Sequence, residues 1–261
     1  MERVPVRINI ENYPEAFRGL LDGVLIYDSR CHSGAEVLFI DKDDGYFLKS
    51  MPKGQLEVEA AMTKYFGSIG LGAKVLHFES GERDYMLTAR VRGEDCTHAA
   101  YLADPERLCD KYAEMLYDLH HRDFTGCPVQ NRIESYSALA FENYRTGNYD
   151  KESFPDSFGY ASAEEAMAVI KKYGSSLKND TLIHGDYCLP NVMLDNWEFS
   201  AFIDVGNGGV GDRHIDLFWG VWTLWYNLKT NKYEDRFLDA YGRGNFDRDM
   251  LRVVAAFEVF G

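Results

Sequence analysis

The apolar residues of this chain change their spacing once, near Arg92-Gly93, and that switch sets what the chain can fold into. Before it, Gly23 to Tyr27, Glu36 to Ile40, Gly45 to Leu48, Ala73 to Phe78 and Asp84 to Ala89 form short apolar or alternating runs. Turn residues such as Asp43-Asp44-Gly45 and Ser80-Gly81 bound them, which is the pattern of strands. One helix is predicted among them, Gln55 to Phe66, with Pro52 and Gly54 breaking the preceding strand. After the switch the spacing is helical. Pro105 to His121 carries Leu108, Tyr112, Met115, Leu116 and Leu119 as one stripe, with the proline suited to the first turn. Further helices are predicted at Arg132 to Tyr144, Ala163 to Tyr173, Asp212 to Asn227 and Asp247 to Phe257. Only the short runs around HGDYCLPN (His184 to Asn191) and at Phe199 to Asp204 interrupt them. The expected fold class is α+β and bilobal: a small β-rich N-lobe over residues 1–90 and a larger, mainly helical C-lobe over 91–261. A ligand is expected in the cleft between them.

Composition narrows the function classes. The formal net charge is −14, from 42 acidic and 28 basic residues. Such a field repels phosphate backbones and draws cations, so nucleic acid is not an expected partner; solubility alone is the competing explanation of the charge. No apolar run reaches the roughly 18 to 20 residues of a membrane span, and the opening MERVPVRINIENYPEAF lacks a signal-peptide pattern. A soluble, cytoplasmic protein is expected, without a membrane partner. Cys31, Cys96, Cys109, Cys127 and Cys188 are odd in number and scattered, with no CxxC pair, which argues against a disulfide framework or a zinc ribbon.

Two segments carry chemistry. HGDYCLPN places Asp186 and Asn191 on a loop between the runs Thr181-Leu182-Ile183 and Val192-Met193-Leu194; alone, it reads equally as an ordinary turn. Ile203-Asp204-Val205-Gly206 follows, with Asp204 eighteen residues after Asp186. Phosphoryl transfer needs a carboxylate to orient the attacking hydroxyl, plus a carboxylate and an amide for magnesium. Kinases write this as HRDxxxxN followed by DFG; this chain has HGDxxxxN followed by Asp204-Val205-Gly206. The same chemistry asks for a strand lysine to grip phosphates and a helix acid to hold it. Lys49 ends Tyr46-Phe47-Leu48-Lys49, and Glu57 and Glu59 stand on the helix after it.

These residues resemble those of the aminoglycoside phosphotransferases, especially the 3'-phosphotransferases, over nearly the whole chain. The stretches that carry the resemblance are Phe47-Leu48-Lys49, Lys74-Val75-Leu76-His77-Phe78, Leu119-His120 with Asp123 and Cys127-Pro128, HGDYCLPN, and Phe202-Ile203-Asp204 continuing to Gly211-Asp212-Arg213. The resemblance implies a protein-kinase-like fold, ATP (or GTP) and Mg²⁺ as cofactors, Asp186 as catalytic base, and Asn191 and Asp204 as magnesium ligands. It implies Lys49 with Glu59 as the phosphate-gripping pair, Glu59 being preferred because the family's acid lies ten residues after the lysine. Ser33, Gly34 and Ala35 stand where the family covers the phosphates, without a GxGxxG pattern. Phe47 is placed to stack on the adenine or to pack in the N-lobe core, and the backbone of Ala89 to Val91 to bond the adenine edge. His184 is expected to shape the loop, His120 to be structural, and Asp216 to brace the loop. Trp222 and Trp225 read as core or as a sugar-stacking face.

A cationic acceptor would need a ring of carboxylates, for which Asp150, Glu152, Asp156 and Glu258 are candidates; for each, a solvated charge is the competing reading. The chain departs from the family pattern at three places. Asn207 stands where the family has an arginine near the phosphates, Tyr226 stands near where some members place a drug-binding acid, and the C-terminal sequence keeps one acid and moves the terminal carboxylate by a residue. Three alternatives to an aminoglycoside 3'-hydroxyl kinase remain. They are the same chemistry on another hydroxyl-bearing metabolite or antibiotic, a phosphohydrolase using His184-Gly185-Asp186 and His214-Ile215-Asp216 as metal clusters, and an inactive nucleotide-binding module.

Overall fold

Alternating apolar and polar residues in the first ninety positions build one six-stranded antiparallel sheet. Its strands are β1 (Val4–Pro5), β2 (Leu25–Asp28), β3 (Glu36–Asp41), β4 (Tyr46–Pro52), β5 (Val75–Ser80) and β6 (Arg83–Ala89), in the order β1-β2-β3-β4-β6-β5. The computed structural model describes residues 4–29, 34–150 and 158–261. Contacts divide the chain into two units: Met1–Asp95 with Met193–Gly206, and Cys96–Val192 with Asn207–Gly261.

In the first unit the period of two sends successive β4 residues to opposite faces. Leu48 goes to one core, with Ile26, Leu38 and the short helix α1 (Glu15–Leu21), through Phe17 and Leu21. Phe47, Lys49 and Met51 take the opposite parity, and Met51 packs on that side with Leu56, Ala60 and Met86 beneath helix α2 (Glu57–Ser68). The residue ahead of α2, Leu56, provides no side-chain cap. Asp84 of β6, fully buried, takes over that role: the Leu56 N–H donates to its Oδ2 at 2.9 Å, and the Ser80 hydroxyl donates to Oδ1 at 2.7 Å. The sheet thereby fixes the first turn of the helix that carries Glu59.

The return segment adds β9 (Val192–Asp195) and β10 (Glu198–Phe202), which with β7 (Glu94–Asp95) make a three-stranded sheet in the order β10-β9-β7. The Phe202 N–H donates to the Leu71 carbonyl at 2.8 Å, and Gly72 and Phe202 form a bridge just beyond α2. The strand expected to run to Asp204 stops at Phe202, because Asp204 turns into the left-handed region at φ +54°.

The second unit is helical: α3 (Ala99–Leu102), α4 (Pro105–His120), α5 (Arg132–Thr146), α6 (Ala163–Tyr173), α7 (Arg213–Leu228), α8 (Glu234–Tyr241) and α9 (Arg248–Glu258). Polar side chains cap most of the long ones, among them Asp104, Asn131, Ser162, Asp212 and Asp247. One core joins α5, α6 and α9 through Ala140, Met167, Ile170, Val254 and Phe257. Ile183 joins it from the short strand β8 (Thr181–Ile183), which pairs antiparallel with β11 (Gly209–Gly211). Among the described residues no helix is long and apolar enough to cross a membrane, and Cys96, Cys109, Cys127 and Cys188 are buried free thiols.

Replacing Asp84 with Ala should remove the cap of α2. The expected cost is about 1–2 kcal/mol of stability in denaturant unfolding; an unchanged midpoint would show that the cap is dispensable.

Candidate active site

Lys49 is the hub of the first unit's polar cluster. Its ammonium donates to both carboxylate oxygens of Glu59, at 2.7 and 2.9 Å, and to Asp204 Oδ1 at 3.1 Å. Burial works against the lysine's charge, yet Asp204 and Glu59 outweigh it and raise its pKa above the usual value. Glu59 is raised too, since its own burial outweighs the pull of Lys49. Of the two acids on the helix, Glu59 makes the pair and Glu57 is exposed; two residues of helix turn a side chain by about 200°, away from the sheet. Gly206 keeps the cluster closed, because a Cβ there would lie 3.1 Å from that of Glu59. Asp204 remains half exposed, its side chain at 49%.

Phe47 shares the sheet face of Lys49, with its ring 5.2 Å from that of Phe39. Gly34 and Ala35 lie at the end of the β2–β3 connection, while Ser33 lies outside the described residues. The edge expected at Ala89 to Val91 is narrower than the sequence suggested. The Ala89 N–H is committed to the Lys74 carbonyl and the Arg90 N–H to Gly45, both at 3.0 Å. The sheet claims those amides, so the Val91 N–H and the carbonyls are what this edge offers.

In the second unit, β8 delivers the loop of His184 to Asn191. Gly185 is obligatory here: its φ is +81°, and a Cβ would fall 1.8 Å from the Asn207 carbonyl oxygen. Asp216, fully buried in the first turn of α7, receives the His184 N–H on Oδ2 and the Gly185 N–H on Oδ1, each at 2.7 Å. Its Oδ2 also accepts from His120 Nε2 at 3.1 Å, and His120 Nδ1 accepts from the Tyr241 hydroxyl at 2.8 Å. Burial depresses the pKa of His120, which suits a neutral ring with its proton on Nε2. Tyr187 ties the loop to α4: its ring stacks on Tyr112 at 4.4 Å, and each hydroxyl donates to the other residue's carbonyl, at 2.6 and 2.8 Å. Neither tie has a local sequence signature, although Asp216 stood out as an acid within an apolar run.

Held in this way, Asp186 is half buried. Asn191 donates from Nδ2 to the Asp186 carbonyl at 3.0 Å and to its Oδ2 at 2.8 Å, so its amide carbonyl is the end turned toward any cation. Cys188 beside them is inert, its thiol pushed far up by burial and next by Asp186. Glu258, near the end of α9, receives the Tyr136 hydroxyl at 2.6 Å and the Trp219 indole N–H at 3.2 Å on Oε1. Burial pushes its pKa up to about 7, against those two donors. Asp150 is exposed beyond α5; Glu152 and Asp156 lie outside the described residues. Trp222 and Trp225 line a surface cavity of about 250 Å³ with Phe218, Val221, Asn231 and Glu234, and Tyr226 stacks on Trp222 at 4.9 Å. The histidines proposed for a metal cluster have other duties: His214 pairs with Asp212 through Nδ1 and accepts the Asp247 N–H on Nε2. Among the described residues no three His, Cys, Asp or Glu side chains gather as metal ligands.

Asp216→Asn should cost about 3 kcal/mol in chemical unfolding, since one of the two loop N–H groups would then face an NH₂ in a buried site. A loss below about 1 kcal/mol would mean that the loop is held by other contacts.

Residues 30–254 match the phosphotransferase enzyme family. A protein of Lactococcus lactis described as a "Probable aminoglycoside 3'-phosphotransferase" is 46% identical over 257 residues, covering 98% of each chain. The aminoglycoside 3'-phosphotransferase of Niallia circulans is 27% identical, covering 95% of this chain and 97% of its own. Among solved structures, aminoglycoside phosphotransferase APH(3'')-Id of Streptomyces rimosus aligns with a TM-score of 0.75 at 22% identity, covering 93% of this chain and 94% of its own; it has also been solved with ADP and streptomycin. The fold is therefore the bilobal, kinase-like α+β fold of these enzymes, and the chain belongs to the phosphotransferase enzyme family, the family of the aminoglycoside phosphotransferases.

Proposed function

We propose that this enzyme transfers the γ-phosphoryl group of ATP to a hydroxyl of an aminoglycoside, at the 3' position, and so protects its host from the drug in the cytoplasm. The observation that carries the phosphotransfer reading is the Lys49 ammonium held between Glu59 and Asp204. A strand lysine kept charged in this way is a preformed phosphate grip. The acceptor class rests on the names of the relatives, and the acidic balance of the chain and the buried Glu258 agree with a polycationic substrate.

In this reading Lys49 binds the α- and β-phosphates while Phe47 packs against the base. Asp204 and Asn191 offer a carboxylate and an amide oxygen, the hard donors that suit Mg²⁺, and would hold it. Bound there, the ion would neutralise phosphate charge. Asp186 accepts a hydrogen bond from the acceptor hydroxyl and aims its oxygen at the γ-phosphorus. As the new P–O bond forms, the bond to the bridging β–γ oxygen breaks, ADP departs, and the hydroxyl proton passes to Asp186. Its tie to Asn191 fixes the carboxylate before the substrate arrives, so that most of the rate gain comes from positioning. Glu258, Asp150, Glu152 and Asp156 would take the ammonium groups.

ADP release should require ATP, Mg²⁺ and an aminoglycoside with a free 3'-hydroxyl, and 3'-deoxy analogues should give none. Asp186→Ala should lower kcat by at least about 100-fold with nucleotide affinity unchanged. Equal turnover on the deoxy analogues would remove the 3' assignment, and an active Asp186→Ala protein would remove the base.

The raised pKa of Glu258 gives a second test. The group is neutral below about pH 7 and a carboxylate above it. The KM for a cationic acceptor should therefore fall about tenfold as pH rises through that value, the worth of one charge-assisted hydrogen bond. In Glu258→Gln the profile should be flat; a variant that keeps the wild-type profile would exclude Glu258 as its source.

A further inference from the structure

Arg132 reaches from α5 to Asn207, which rests on the catalytic loop, and the reading above leaves it without a task. It occupies the first position of α5, behind its cap Asn131, where the helix dipole disfavours positive charge. Its stem lies against β11: a Cβ on Gly211 would sit 3.2 Å from that of Arg132. From there the side chain runs back along the strand, and its guanidinium donates to Asn207 Oδ1 at 2.8 Å. Asn207 in turn rests on the loop itself, its backbone in the space a Gly185 side chain would need, one residue before Asp186.

The charge of Arg132 is poorly compensated. The residue is partly buried, and among the described residues its recorded hydrogen bond is to a neutral amide, with no carboxylate in ion-pair contact. Burial lowers its pKa, and the more distant Tyr136 and Glu258 only offset this in part. A guanidinium has five N–H donors in a planar fork matched to phosphate oxygens, and leaving it desolvated and unpaired is costly. An anion that comes to Asp186 would relieve that cost, and the phosphoryl group in transit is such an anion. The Asn207 side chain carries no charge of its own but steers one brought by α5.

We propose that the Arg132 guanidinium, aimed by Asn207, contacts the oxygens of the transferring phosphoryl group and stabilises the charge on them in the transition state. The proposal rests on the phosphotransfer reading.

Two measurements test it. In the ADP-release assay, Arg132→Ala should lower kcat by at least about 100-fold, the usual loss of one transition-state donor, while KM for ATP and for acceptor stays within about threefold. Arg132→Lys, which keeps the charge and the stem but loses the fork, should recover part of this rate. Adding Asn207→Arg to Arg132→Ala should recover at least about a tenth of it, because the cation is returned to the same place. A kcat within about fivefold of wild type, or a loss confined to the acceptor KM, would overturn the proposal; the latter would make Arg132 a partner of Glu258. The second measurement needs no acceptor: calorimetric binding of Mg·ADP with and without aluminium fluoride, which mimics the phosphoryl group in flight. Wild type should gain affinity with the fluoride, and Arg132→Ala should lose most of that gain. If the gain survives the substitution, Arg132 does not touch the phosphoryl group, whatever the acceptor proves to be. If the fluoride gain depends on Arg132 but no aminoglycoside is turned over, the acceptor assignment fails and Arg132 stands.

Discussion

The buried carboxylate of Asp216 is the fixed point of the second unit. It takes two backbone N–H groups of the loop from His184 and a ring proton of His120, and in return makes a left-handed glycine and a half-buried aspartate tolerable in one short turn. A carboxylate at zero exposure is stable only when each oxygen is met by donors. His120, kept neutral and oriented by Tyr241, completes that set. The reciprocal tyrosine pair performs the same service for Tyr187, so the loop is fastened to α7 and α4 on either side of Asp186.

The first unit solves a different problem with charge. Lys49 must keep its charge while largely buried. Sharing it between Glu59 and Asp204 achieves this, because their combined attraction outweighs the cost of burial. Asp84 stands behind this pair. By capping α2 from within the sheet it sets the helix rotation that brings Glu59, rather than Glu57, to the lysine.

Much of this was legible from sequence because it is local. Alternation gave the strands, the stripe of α4 gave its buried face, and three polar residues at kinase-like spacing gave the loop and the magnesium candidates. The preference for Glu59 over Glu57 rested on family spacing, and helix geometry supplies its physical cause. What was not legible is non-local or too short for a period to register. Helices α1 and α8 span about two turns, and β11 is three residues, two of them glycine. The docking of Phe202 on Leu71, the cap from Asp84 and the reach of Arg132 to Asn207 each join residues 28 to 131 apart. No window of sequence contains both ends. The amides of Ala89 and Arg90 belong to the same class, being committed to residues brought alongside by the sheet.

The grouping of Met193–Gly206 with the first unit has a consequence for how the chain is made. When the first ninety-five residues emerge from the ribosome, the Leu71 carbonyl and the Lys49 ammonium are still without Phe202 and Asp204, which arrive more than a hundred residues later. The nascent sheet and α2 can form on local contacts, but the Lys49 cluster closes only after most of the helical unit has been synthesised. Contacts this distant in sequence are late steps in folding. Assembly of the Lys49 cluster therefore waits on a segment made more than a hundred residues after the sheet, and a chain stalled before Asp204 would hold its lysine against Glu59 alone.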